Sequence, residues 1–198
     1  MMFYPNDKIV PEILKDDSFV LMPLSPAHVE VDYEAVMASQ EMLRMWSGST
    51  WPRDGFTLAE NLDDLTWHQQ EHQDREAFTY TVLDPDREIC LGCVYIRPLA
   101  DLADANPDIL QNTAEDEAVV RFWMRSSYLA GGLDQRLLKA LIDWFDEAWP
   151  FSHVLFHTRP VNSQQIALFT EASLQKQLAL QYRQRGGIHY FYGASRAS

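Results

Sequence analysis

The stretch Phe122-Trp123-Met124-Arg125-Ser126-Ser127-Tyr128-Leu129-Ala130-Gly131-Gly132-Leu133-Asp134-Gln135-Arg136-Leu137-Leu138 decides the fold. It opens on the apolar end of a strand that begins at Glu117 and crosses a turn at Gly131 and Gly132. It then enters a helix whose Leu137, Leu138, Leu141 and Phe145 fall on one side. Such a turn presents the first backbone N–H groups of the helix, which have no partner inside it, and the positive end of the helix dipole adds to them. Phosphate oxygens are favoured at that place. Glycine lets backbone approach phosphate with no Cβ in the way, and Arg136 adds a cation in the first helical turn.

Working upstream, residues 77–83 and 89–96 read as two strands joined by the hairpin turn Asp84-Pro85-Asp86-Arg87. Residues 19–24 make a first strand. Ser25-Pro26 then opens a helix with Tyr33, Val36 and Met37 as its apolar stripe. Thr57-Leu58-Ala59-Glu60 is a capping box, and the helix behind it places Leu58, Leu62 and Leu65 at helical spacing as far as His72. Between these helices, Met45-Trp46-Ser47-Gly48-Ser49-Thr50-Trp51-Pro52 reads as a flexible polar loop whose Trp46 and Trp51 would wall a substrate. Downstream come a strand over 151–159, a capped helix over 162–174, and two strands over 178–192 turning at Arg185-Gly186-Gly187. The order β-α-α-β-β-β-α-β-α-β-β defines an α/β (α+β) fold. Its mixed, mostly antiparallel sheet has about seven strands flanked by about four helices.

With 198 residues and 46% hydrophobic side chains, the chain 1–198 reads as a single domain. Its 29 acidic and 16 basic residues give a net charge of −13, which argues against nucleic acid and anionic membranes as partners. No apolar run is long enough to span a membrane, and charges interrupt the first thirty residues, so a cytoplasmic location is expected. Cys90 and Cys93 form a C-x-x-C inside a strand, where alternation would point the thiols to opposite faces, as buried structural residues.

The element order and the 122–138 segment resemble the GNAT superfamily of N-acetyltransferases over nearly the whole chain. The resemblance implies an acyltransferase that binds acetyl-CoA as co-substrate, without a metal, and passes the acetyl group directly to a primary amine of a small molecule or peptide. It implies a pyrophosphate site formed by Ala130, Gly131, Gly132, Leu133, Asp134, Gln135 and Arg136, continuing from Trp123, Met124 and Arg125. Met124 would meet the thioester carbonyl through its backbone N–H, and Asn162 the cofactor arm. Glu117, with Asp116 and Glu115 beside it, is the expected base. Three positions depart from the family pattern: Leu129 stands where Arg or Gln is usual, Asp134 where Gly or Ala is usual, and Phe169 where a proton-donating Tyr is usual. The late strands also leave room for a homodimer built by sheet extension.

Two other readings follow from the residues. His68-Gln69-Gln70-Glu71-His72 is formally H-x-x-E-H, with both histidines on one helical face as a zinc hydrolase needs; its plain alternative is an exposed helix end. The three departures point instead to a protein of the same fold that no longer catalyses and binds a ligand or partner.

Overall fold

The computed structural model describes residues 3–104, 116–181 and 187–194. Its strands are β1 (Leu14–Lys15), β2 (Val20–Pro23), β3 (Phe78–Leu83), β4 (Cys90–Pro98), β5 (Glu117–Met124), β6 (His153–Thr158), β7 (Gln175–Gln181) and β8 (Ile188–Gly193). They form one sheet in the order β1-β2-β3-β4-β5-β6-β8-β7. Every neighbouring pair is antiparallel except β5 and β6. A parallel pair needs a crossover, and α4 (Leu133–Ala148) supplies it. The remaining helices are α1 (Val29–Met37), α2 (Gln40–Ser47), α3 (Leu58–Gln73) and α5 (Ser163–Glu171).

Strand β5 lies mid-sheet and is covered on both sides, which is why its sequence is a nearly continuous apolar run. On one face Val120, Phe122 and Met124 join Phe78, Tyr80, Val94, Ile96 and Phe156 in a core with Leu137, Leu138 and Leu141 of α4 and Phe169 of α5. On the other, Trp123 packs with Cys90, Cys93, Ala35, Val36, Leu43 and Trp46. Helices α1 and α2 therefore cover one face of the sheet, and α4 and α5 the other.

The sheet has eight strands and the described residues hold five α-helices, one more of each than the sequence suggests. The extra strand is the two-residue β1, too short to carry a periodic signal. The extra helix, α2, takes Met45, Trp46 and Ser47 out of the expected polar loop, and it ends at Gly48 with φ of 69°. In α3 only Leu65 of the expected stripe is buried, whereas Leu58 and Leu62 are exposed. The turn at Arg185 and Gly186 lies outside the described residues.

Cys90 and Cys93 do not point to opposite faces. The β3–β4 register shifts so that Val82 faces Gly92 and Leu83 faces Cys90, which makes Leu91 a bulge residue. The bulge resets the alternation: Leu91 turns to the α4 side and both thiols turn to α1. There they lie with the buried Asp32 carboxylate, the three ligand-type atoms within 4.8 Å of one another. Asp32 accepts hydrogen bonds from Asn61 Nδ2 at 2.9 Å and from the Cys93 thiol at 3.5 Å. Burial raises the Asp32 carboxyl despite these bonds. Its hydrogen bond with Cys90, then burial, hold the Cys93 thiol well above its ordinary range. The Cys93 thiol therefore stays protonated and donates to Asp32.

Helix α5 ends with Ser173 at φ of 62°, a left-handed conformation, while the Leu174 N–H bonds the Phe169 carbonyl at 3.0 Å. Ser173→Gly relieves the Cβ strain and is expected to raise unfolding free energy by about 1 kcal/mol in urea titration.

Candidate functional site

Strands β5 and β6 pair only over Glu117↔His153 to Val120↔Phe156, after which they separate. Arg125 N–H bonds Leu91 on β4, so by alternation Phe122 and Met124 turn their backbone groups away from β4, into the gap. The Phe122 carbonyl would be unsatisfied there. It accepts instead from Trp46 Nε1 at 2.8 Å, from the α2 side, and from Gln165 Nε2 at 3.1 Å, from the α5 side. Gln165 is fixed in turn by Asn162, the N-cap of α5, whose side chain accepts from the Gln165 N–H and donates to Gln165 Oε1. Met124's N–H lies just beyond this anchor, at the mouth of the gap.

The chain leaves β5 through a 3-10 turn, Ser126–Gly131, and enters α4 from Gly132 at φ of 70°. Only glycine adopts that angle without strain. A Cβ at Gly131, by contrast, would meet nothing within 4 Å, so the turn is open on that side. Asp134 does not face outward as a free carboxylate. Its Oδ1 accepts the Gln135 N–H at 2.9 Å and its Oδ2 lies 3.5 Å from Gln164 Nε2 on α5. Arg136 pairs with Asp16 at 2.7 Å, and Arg125 with Glu34 at 3.3 Å. Leu133 packs against the core.

On the α1–α2 side of the gap, the Arg121 guanidinium stacks 4.2 Å from the Trp46 ring and His157 lies buried beyond the last β5–β6 pair. Arg159 donates to the Met45 carbonyl at the end of α2 at 2.7 Å. Trp46 and Trp51 do not wall one opening. Trp46 is turned into the sheet, whereas Trp51 lines a cleft of about 410 Å³ with Phe56, Glu60, Asp63 and Asp64. Burial raises the Asp64 carboxyl there, against the hydrogen bond from Trp51 Nε1.

Several expected site residues are thus brought together: Met124, Gly131, Gly132, Leu133 and Asn162 border one gap and its turn. Glu117 is not among them. It sits at the opposite end of β5, seven residues or about 23 Å from Met124, buried and 3.6 Å from His153 Nδ1. Phe169 is fully buried between Phe122, Phe156 and Tyr192, as a core residue of α5. Trp123 is also buried, its Nε1 donating to the Tyr95 hydroxyl at 3.3 Å. The sequence reading missed Gln165, Arg121 and His157. None belongs to a local motif, and Gln165 alone had a signal, standing three residues after an N-cap asparagine.

The H-x-x-E-H side chains are neither an exposed helix end nor turned to a common point. His68 Nδ1 lies 3.1 Å from Glu71, and Glu71 holds Arg97 at 2.7 Å. Burial would raise the Glu71 carboxyl, but the bonds from His68 and Arg97 bring it below its usual value. His72 packs edge-on against Phe78 and Tyr80.

This arrangement of sheet, gap and crossover helix is the GNAT fold. RimL, a ribosomal α-N-protein acetyltransferase solved in complex with coenzyme A, superposes with a TM-score of 0.72 at 14% identity, covering 92% of this chain and 97% of RimL. RimJ of Mycobacterium smegmatis, solved with a CoA disulfide, gives 0.72 at 15% identity over 98% and 90% of the two chains. A ribosomal-protein alanine acetyltransferase from Vibrio fischeri gives 0.71 at 15% over 92% and 96%. No protein-family profile and no curated protein matches the sequence.

Burial lowers His72 to about 4. The unfolded chain therefore takes up this proton near pH 6.5 while the folded one does not, so the contribution is intact above pH 6.5 and lost as pH falls toward 4. His72→Phe is expected to flatten the decline in stability across that window, read by urea unfolding at pH 7 and pH 5.

Proposed function

We propose that the protein is an acetyl-CoA-dependent N-acetyltransferase that moves the acetyl group directly to a primary amine of a small molecule or peptide. One observation carries this: the gap between β5 and β6 runs from an inward-turned Met124 N–H to an open glycine turn at the start of a 16-residue helix. A thioester arm lies along such a gap, with its carbonyl on a backbone donor and its pyrophosphate at the helix start. The Met124 N–H donates to the oxygen that gains charge as the amine attacks. The Leu133 and Asp134 N–H groups face the phosphates, and the missing Cβ of Gly131 leaves room for them. Asn162 and Gln165 border the arm from α5. The solved acetyltransferases of this fold that carry coenzyme A support the same ligand.

The departing thiolate takes its proton from water, since Phe169 has none to give. Binding without turnover is the second reading, favoured by that same buried Phe169 and by the side chains already held on the Phe122 carbonyl.

Calorimetry with acetyl-CoA, followed by turnover over a panel of primary amines, separates the two. Saturable binding with thiol release is expected; no binding would sink the proposal, and binding with no release would establish the second reading. Two glycine variants test the cradle. Gly131→Ala is expected to leave thermal stability unchanged and weaken acetyl-CoA about tenfold, or about 1.4 kcal/mol. Gly132→Ala is expected to cost about 1–2 kcal/mol of stability, because its left-handed angle strains any Cβ.

A further inference from the structure

One buried imidazole, on β6, lies beside the gap on its α1–α2 side, and a second lies behind it on β8. His157 follows Phe156, the last β6 residue paired with β5, and faces away from the α4 core that Phe156 joins. His189 of β8 stacks on it, ring centroids 4.9 Å apart, with His157 Nε2 and His189 Nδ1 at 2.7 Å. A contact this short is a hydrogen bond, so one ring donates and the other accepts. When His157 Nε2–H is the donor, its Nδ1 carries the free lone pair.

Amide formation requires a proton acceptor near the attacking nitrogen, and three carboxylates on this side, Asp32, Glu34 and Asp64, are committed elsewhere. Asp32 is held by Asn61 and Cys93, Glu34 by Arg125, and Asp64 by Trp51. Glu117 lies at the far end of β5. Extending the β5–β6 register sets His157 opposite Arg121, three residues or about 10 Å from Met124 along the strand. An amine about 3 Å from the thioester carbon, one water and two hydrogen bonds of about 2.8 Å span that distance.

Granting the acetyl transfer proposed above, we infer that His157 is the proton acceptor for the attacking amine, acting through one water, and that His189 is the positioning residue that fixes its tautomer. The neutral amine nitrogen forms the C–N bond and gains positive charge while the carbonyl electrons move to the oxygen on Met124 N–H. The nitrogen's proton passes through the water to His157 Nδ1. The oxyanion collapses, the C–S bond breaks, and the sulfur leaves with the electron pair and takes a proton from water. The imidazolium returns its proton to solvent. The charged and titratable groups facing His157 are Arg121 of β5, His189 of β8 and Arg159 after β6. Burial first, then these three, hold the ring well below the ordinary histidine range, so it is unprotonated at neutral pH, as a weaker base than a free imidazole.

The test compares the unaltered protein with His157→Gln, His189→Leu and His189→Gln, using acetyl-CoA with an alkylamine and with a hydrazide, whose nitrogen sheds its proton far more readily. Thermal melting and acetyl-CoA calorimetry establish that each variant is folded and loaded, and His157→Asn replaces His157→Gln if the latter fails to fold. His157→Gln is expected to lower kcat for the alkylamine about 100-fold, to abolish the acid limb of the pH profile, and to cost the hydrazide only a few-fold. His189→Gln, which keeps an acceptor for His157 Nε2–H, should retain most of the activity that His189→Leu loses. An unchanged acid limb in His157→Gln, or an equal loss with both acceptors, overturns the assignment. No turnover by the unaltered protein would instead overturn acetyl transfer itself.

Discussion

Everything at the site depends on the parting of β5 and β6 after four paired residues. A parallel pair that stops pairing in mid-sheet leaves backbone groups without partners, and such groups are costly when buried. The protein meets this cost at the Phe122 carbonyl with two side chains from opposite faces of the sheet, Trp46 from α2 and Gln165 from α5. Those bonds hold the gap open at the level of Phe122. Two residues farther on, Met124 keeps a backbone donor turned to the same side.

The two cores serve this gap from either side. The α4–α5 core anchors the crossover helix through Leu137, Leu138 and Leu141, which fixes where its first N–H groups stand relative to the end of β5. The α1–α2 core seats Trp46 over Arg121 and ties Arg159 to the end of α2. The Asp32, Cys90 and Cys93 knot below it is a polar contact among protonated or hydrogen-bonded groups that fastens α1 to the β4 bulge. Gly92, inside that bulge, lets β4 approach β5 closely: a Cβ there would meet the Trp123 carbonyl at 2.0 Å.

Much of the fold was legible in the sequence because its signals are local. The leucines of α4, the capping box at Thr57, the hairpin at Asp84 and the N-cap at Asn162 each act within a few residues, and the structure places them as read. Helix α2 escaped notice because its last residue, Ser47, runs directly into Gly48 and Ser49, and together they resemble a loop. The thiol geometry escaped because a single bulge residue reverses the alternation on which strand reading rests.

By itself the sequence determined the strand, glycine turn and helix of residues 117–148, and with them a phosphate-suited helix start, since these follow from hydrogen bonding and dihedral preference among neighbours in the chain. Only the tertiary structure decided what surrounds that turn. It set Glu117 a strand's length from Met124 and turned Asp134 to its own helix. It also joined residues far apart in sequence, Trp46 with Phe122 and His157 with His189. These are contacts across strands and between layers, fixed by register and packing, which no local pattern encodes.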